Sequence, residues 1–239
     1  MRVGVLVCDH VAERYLGIDG DYTDMFTEMV ARTGESAEVV LYDAVAGVLP
    51  GRPDECDGWL CTGSSSSVYD GDAWIEALAA FVREVHAAKV PFAGVCFGHQ
   101  LVAHALGGRT ERATRGWGAG ALPMEVTVEE PWMTPPRSSA TLLYSHQDQV
   151  TVLPPGGRVL ASAAHCPIAM LAVDDHVVGV QAHPEFSTAY LRALLEDRVD
   201  RIGEAGTAAA MASLEQPTDE LAVAAWLLAF LRTRGAQEG

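Results

Sequence analysis

Apolar positions along the 239-residue chain follow two different rhythms. In the first, short apolar runs alternate with stretches of helical spacing. Residues 2–8 form a β-branched run cut off by Asp9 and His10, which suits the inside of a parallel sheet. Residues 22–33 then place Met25, Phe26, Met29 and Val30 on one helical face, with Gly34 where a C-terminal cap belongs. Strands are expected again over 37–42 and 58–61, the second running into a Gly- and Ser-rich loop, 62–71, that can expose backbone N–H groups. Asp72 is placed to cap a helix carrying Ile75, Leu78, Val82 and Val85, and Pro91 restarts the chain as a strand over 92–95. A helix over 98–106, closed by Gly107 and Gly108, completes this part.

The second rhythm has strands without helices between them. Residues 122–128, 141–144, 158–162, 168–173 and 177–181 are apolar or alternating and are joined by turn-like Pro, Gly and Asp segments. Two helices are expected to close the chain. One starts near Ser187 with Leu191, Leu194 and Leu195 on one face, and the other near Thr218 with Leu221, Leu228 and Leu231 facing inward. An alternating α/β half followed by a mostly antiparallel half predicts an α/β fold with one mixed sheet flanked by helices, in a single domain.

Composition narrows the function classes. With 49% hydrophobic and 20% charged residues the chain can build a packed core. Thirty-two acids against sixteen bases leave a net charge of −16 without a Lys/Arg cluster, which argues against nucleic acid and anionic membranes as partners. The longest apolar run, LAVAAWLLAFL at 221–231, is about half of the roughly 20 residues a membrane-crossing helix needs. The first apolar run is too short for a signal peptide, so a cytoplasmic location is expected. Five cysteines without a C-x-x-C pair indicate neither a disulfide framework nor a zinc ribbon, and Cys8 and Cys61 sit in apolar runs as core thiols. His10, His86, His104, His165 and His176 show no metal-ligand spacing, and no glycine pattern forms a phosphate-binding fingerprint. No metal or other cofactor is expected.

Two motifs carry chemistry. The first is Gly94-Val95-Cys96-Phe97-Gly98, where an apolar strand meets a helix. A nucleophile on such a tight turn needs small residues two positions to either side, and the helix amino end favours the thiolate that attacks carbonyls. A G-x-C-x-G arises by chance in about 0.05 of chains of this composition, so a second signal is needed. It comes from His183-Pro184-Glu185 at a strand end. A cysteine nucleophile needs a base, and a base is best oriented by a carboxylate. Pro184 fixes φ between the two, so that Glu185 can hold one imidazole nitrogen while the other faces the thiol.

Together, Gly94 to Gln100 and His183-Pro184-Glu185 resemble a class I glutamine amidotransferase domain, the type with a Cys-His-Glu triad. Gly20-Asp21-Tyr22, Val68-Tyr69-Asp70 and the stretch Tyr144 to Val150 are similar to its stand-alone branch, related to the glutaminase domain of GMP synthase and including γ-glutamyl peptidases. The resemblance implies a flavodoxin-like domain over residues 1–195, with 196–239 as a helical extension packed on it. It implies catalysis by Cys96, His183 and Glu185, and an oxyanion hole formed by the amide of Phe97 and the Gly63-Ser64 turn. That turn departs from the commoner Gly-Gly-Pro of amidotransferases. The resemblance also places Gln100, Ser145 and His146 against the glutamyl group, with Trp117 lining the pocket. Because the overall charge is negative, the substrate α-carboxylate is expected on backbone N–H groups or on a base such as Arg115.

The implied reaction is hydrolysis of the glutamine γ-carboxamide through a cysteinyl thioester, yielding glutamate and ammonia. Residues 196–239 are too few for an ammonia-accepting synthetase. The partner is then either a separate synthetase subunit, or none is needed because the chain is a stand-alone hydrolase of γ-glutamyl peptides or conjugates. A catalytically idle γ-glutamyl-binding regulatory subunit is the third alternative, and the intact triad argues against it.

Overall fold

The computed structural model describes residues 1–235. Its first half alternates strands and helices: β1 (Arg2–Val7), a short helix α1 (Leu16–Asp19), α2 (Tyr22–Arg32), β2 (Glu38–Asp43), β3 (Gly58–Cys61), α3 (Ala73–Ala87), β4 (Phe92–Val95) and α4 (Phe97–Ala105). Seven strands follow with no helix among them: β5 (Arg109–Arg112), β6 (Gly118–Val126), β7 (Ser139–His146), β8 (Asp148–Val152), β9 (Gly157–Ser162), β10 (Met170–Val173) and β11 (Val177–Val180). Helices α5 (Thr188–Asp197), α6 (Val199–Ile202), α7 (Glu204–Ser213) and α8 (Glu220–Gly235) end the described chain.

Nine strands form one sheet in the order β2-β1-β3-β4-β11-β10-β9-β6-β7. The pairings from β2 to β11 are parallel and those beyond β11 antiparallel. Connection length explains the change. Helix-bearing crossovers allow parallel neighbours, whereas the short connections from β9 to β10 and from β10 to β11 allow only antiparallel ones. Strand β11 is the seam. Although it arrives late in the chain, it lies parallel to β4 with Val180 beside Val95, so the segments that follow both strands emerge at the same edge. That edge, outside the carboxyl ends of parallel strands, is where open α/β sheets place their ligands.

Helices cover both faces. On one, α3 and α4 bury Ile75, Leu78, Val82, Val85, Leu101 and Val102 against the sheet around Trp59. On the other, α2 contributes Met25, Phe26, Met29 and Val30, and α5 contributes Leu191, Leu194 and Leu195. Helix α8 packs on this face against α2, β3, β4 and β7. Its Val223, Trp226, Leu227, Leu228 and Leu231 are fully buried, and the Trp226 indole donates to the Pro135 carbonyl at 3.0 Å. The run is therefore core from Val223 to Leu231, with Leu228 and Leu231 facing inward as expected, but Leu221, in the first turn of α8, is exposed rather than inward-facing. No helix among the described residues is long and apolar enough to cross a membrane.

Several local expectations need correction. Two helices were expected after Ser187, but α6 and α7 intervene between α5 and α8. Helix α7 is alanine-rich and buries only Thr207 and Ala210, so it lacks the apolar period that marks a helix in sequence. Strands β5 and β8 pair as a separate two-stranded ribbon and carry mostly polar residues. Asp72 stands at the start of α3 without a side-chain capping bond, whereas Ser187 caps α5 by accepting from the Tyr190 amide at 3.0 Å.

Candidate active site

The turn from β4 to α4 holds Cys96 at φ +51°, ψ −99°, a conformation that costs a non-glycine residue about 1–3 kcal/mol. Close packing around it imposes the strain. A Cβ at Gly94 would lie 2.4 Å from the carbonyl carbon and oxygen of Gly98, and one at Gly98 would lie 2.5 Å from the Cys61 carbonyl oxygen. The glycines two positions either side of the cysteine thus let β4, α4 and the end of β3 touch. The Cys96 amide donates to the Val180 carbonyl at 2.9 Å, and its own carbonyl accepts from Gln100 at 3.0 Å as the first turn of α4.

Beyond β11, the His183 amide donates to the Leu143 carbonyl at 2.9 Å, which orients the segment toward Cys96. The imidazole lies flat on Phe186, with ring centroids 3.9 Å apart and planes within 6°. Its Nδ1 bonds Glu185 Oε1 at 2.7 Å, which leaves Nε2 for the Cys96 side chain. Burial by itself would lower the imidazole pKa. The Glu185 carboxylate and the Cys96 sulfur outweigh burial and raise it to about 10, so His183 keeps its proton despite being buried. The second Glu185 oxygen is buried without a partner among the described residues.

Gln181 also faces the cysteine, a role that was not expected of it. Its Nε2 donates to Cys96 Sγ at 3.5 Å, while its Oε1 accepts from Gln100 Nε2 at 3.2 Å. Gln100 Nε2 donates as well to the Asp148 carbonyl at 2.8 Å, so its amide nitrogen is engaged and its oxygen is what remains for a ligand. The Ser-rich loop closes the other side. Its Ser65, Ser66 and Ser67 amides donate to Asp9 Oδ2 (2.7 Å), Ser64 Oγ (3.1 Å) and Asp70 Oδ2 (2.7 Å). These bonds pin the loop, and the Ser64 amide has no acceptor among the described residues. A Cβ at Gly63 would sit 3.0 Å from His183 Cε1 and 3.7 Å from Cys96 Cβ, which places that turn directly beside the nucleophile.

A cavity of about 100 Å³ opens onto Cys96. Ser64 to Ser67 form one wall, Gln100 and Ser145 to Asp148 another, and Trp117, Arg198 and Arg201 the rim. The structure thus gathers Ser64, Gln100, Ser145 and His146 around the cysteine, with Gly63 and Phe97 flanking it through their backbone. It does not bring Arg115 there. That side chain is exposed and donates to the Ala164 carbonyl at 2.8 Å. Arg198 and Arg201, between α5 and the end of α6, take the basic place instead. Arg198 Nη1 donates to Ser145 Oγ at 2.6 Å, and the Arg198 and Arg201 guanidinium groups lie 5.6 and 4.9 Å from the Trp117 ring centroid. No apolar period marks them, and only the fold shows that the chain returns to the pocket after α5.

Three histidines beside the site are neutral. Burial, helped by His165, lowers His146 to about 3, and its Nδ1–H donates to the Asp148 carbonyl at 2.8 Å. Burial lowers both His99 and His165 to about 4. A separate group forms before β11, at the opposite end of the sheet from Cys96. There His86, Asp174 and His176 bring potential metal-ligand atoms within 4.8 Å of one another, a proximity their sequence spacing does not suggest. His176 Nε2 is already satisfied, lying 3.0 Å from both the His86 carbonyl and His86 Nδ1.

Residues 17–201 match the family model for glutamine amidotransferase class-I, a span that takes in the nucleophile turn, the His183 segment and the rim arginines. The chain belongs to the class-I glutamine amidotransferase family. The chain is 27% identical over 190 residues to gamma-glutamyl peptidase 5 of Arabidopsis thaliana, a match covering 77% of the chain and 73% of that protein. It is 34% identical over 169 residues to the glutamine-hydrolyzing GMP synthase of Thermomicrobium roseum, covering 69% of the chain but 30% of that longer protein. A glutamine amidotransferase from Thermotoga maritima superposes with a TM-score of 0.74 at 18% identity, over 100% of this chain and 99% of that one. The mixed sheet flanked by helices is thus the fold that the chain shares with its structural neighbours.

Proposed function

We propose that the chain hydrolyses γ-glutamyl amide bonds through a thioester on Cys96. The observation that carries this reading is the alignment of three groups: a cysteine strained at the β4–α4 turn, His183 against its sulfur, and Glu185 on the far imidazole nitrogen at 2.7 Å. In the first half-reaction the Cys96 thiolate attacks the γ-carbonyl carbon and the carbonyl electrons move to oxygen. The amides of Phe97 and Ser64 stabilise that oxyanion. When the oxyanion collapses, the C–N bond breaks and His183 Nε2 gives its proton to the departing nitrogen. Water then attacks the thioester, His183 takes the water proton, and the Cys96 thiolate leaves as glutamate is formed. Throughout, Glu185 keeps His183 in the required tautomer. Gln100, Ser145 and His146 hold the glutamyl group.

Two substrate types share this chemistry. With glutamine the leaving group is ammonia, delivered to an acceptor site, a reading supported by the likeness to GMP synthases. With a γ-glutamyl peptide the leaving group is an amino acid or peptide and no acceptor is needed, a reading supported by the likeness to γ-glutamyl peptidases. The test is glutamate release by the purified chain from glutamine and from γ-glutamyl dipeptides, with acid-quenched mass spectrometry for a γ-glutamyl adduct on Cys96. Cys96→Ala should abolish both. Wild-type rates in that variant would refute the thioester, and no glutamate from any substrate, with or without candidate partners, would leave a binding subunit.

A further inference from the structure

The rim of the Cys96 cavity carries more positive charge than the rest of the molecule leads one to expect. In a chain with twice as many acids as bases, several arginines are held by a carboxylate, as Arg14 is by Asp197 and Arg158 by Glu130, both at 2.8 Å. Among the described residues neither Arg198 nor Arg201 has a carboxylate within 4.0 Å. Both instead lie over the Trp117 ring, whose own indole N–H is buried and has no acceptor among the described residues. Contact with an aromatic ring holds a guanidinium in place and leaves its N–H groups available to a carboxylate; those of Arg201 have no acceptor among the described residues, whereas Arg198 spends one on Ser145 Oγ.

The charges lining the cavity do not cancel. Arg198 and Arg201 face a single carboxylate, Asp148, one oxygen of which already accepts from the Ser67 hydroxyl. His146 is neutral and contributes nothing to the balance. Outside the Cys96–His183–Glu185 triad, one positive charge is left over. Glutamine brings one ammonium and one carboxylate, so it cannot use this surplus. A γ-glutamyl amino acid or peptide with a free C-terminus brings one ammonium and two carboxylates, and it can. The depths of the arginines divide the work. Arg198 is half-buried and bonded to Ser145, on the side assigned to the glutamyl group, whereas Arg201 is exposed at the mouth.

We propose that Arg198 and Arg201, stacked over Trp117, select substrates with two carboxylates, namely γ-glutamyl amino acids or peptides with a free C-terminus, over glutamine. Arg201 binds the carboxylate of the leaving amino acid and Arg198 that of the glutamyl group. The inference rests on the γ-glutamyl hydrolase reading, and it concerns binding, so it can be tested without turnover.

The experiment is calorimetric titration of the Cys96→Ala variant with γ-glutamylglycine, with γ-glutamylglycine blocked as a carboxamide at the glycine end, with the same dipeptide blocked at the glutamyl α-carboxyl, and with glutamine. A charge-assisted bidentate contact predicts that γ-glutamylglycine binds about tenfold or more tighter than the glycine-blocked form and than glutamine. Adding Arg201→Gln should bring γ-glutamylglycine and its glycine-blocked form to within about twofold of each other, and Arg201→Lys should restore part of the difference. Equal binding of those two ligands, survival of the preference in Arg201→Gln, or sensitivity only to the α-carboxyl block would each overturn the proposal. So would no binding of any ligand. If the preference is found but the wild-type protein releases no glutamate, the hydrolase reading fails and the binding inference stands.

Discussion

Replacing Gly94 by Ala tests how the nucleophile turn is built. The new Cβ would lie 2.4 Å from the carbonyl carbon and oxygen of Gly98 and 2.7 Å from the His99 amide nitrogen. All three are backbone atoms, so no side-chain rotation relieves the clash. Ordinary contact requires β4 and α4 to separate by about 1 Å, and overpacking of this kind typically costs about 1–3 kcal/mol. With backbone on both sides the upper end is expected, which for a chain of this size lowers Tm by roughly 6–12 °C. A displacement of about 1 Å also moves Cys96 off His183 and should cost about 10²-fold in glutamate release. The assay is a thermal melt alongside kcat/KM, with Gly17→Ala as control, since nothing lies within 4 Å of a Cβ at that position. A Gly94→Ala protein that melts within about 2 °C of wild type and keeps its rate would show that the strand–helix contact does not require glycine.

Further outcomes follow from buried groups. His183 is raised from 6.5 to about 10 in the folded chain, so its contribution to stability is complete below about pH 6.5 and is lost as pH rises toward 10. Glu185→Gln removes the largest raising cause, and denaturation midpoints measured across that window should fall less steeply than in wild type. An unchanged slope would sever the link between the two residues. His146 has the opposite sign. Lowered from 6.5 to about 3, it stays neutral when folded and takes a proton when unfolded, so stability falls on acidification through that window by up to about 1.4 kcal/mol per pH unit. His146→Gln, which can keep a donor toward the Asp148 carbonyl, should flatten the acid limb of the urea-stability profile. Trp226→Ala empties a fully buried indole site, and a loss of about 3–5 kcal/mol in urea denaturation is expected. A loss under about 1 kcal/mol would mean that α8 only rests on the surface.

The residues legible from sequence were those whose function constrains their immediate neighbours. A cysteine held between a strand end and a helix start needs glycines at fixed offsets, and a histidine held by a carboxylate two positions on leaves a compact signature. The cavity rim had no such signature. Arg198 and Arg201 reach Trp117 from across the fold, and nothing within a few residues of either says that α6 turns back toward Trp117. Gln181 lay at the end of an expected strand, and its bond to Cys96 depends on β11 docking against β4, a pairing of residues some 85 positions apart. Local pattern gave way to tertiary contact in the alanine-rich α7 and in the polar ribbon of β5 and β8 as well.

Helix α8 has a consequence for the order in which the molecule can be assembled. Its buried faces meet α2, β3 and β4, elements encoded more than a hundred residues earlier, and Arg232 pairs with Glu35 at 3.2 Å across a separation of 197 residues. A ribosome that has translated the whole parallel half of the sheet still holds a chain with one apolar face open to water. That face cannot close until residue 231 has cleared the exit tunnel, so long-range closure comes last and a nascent chain stalled short of it is sticky.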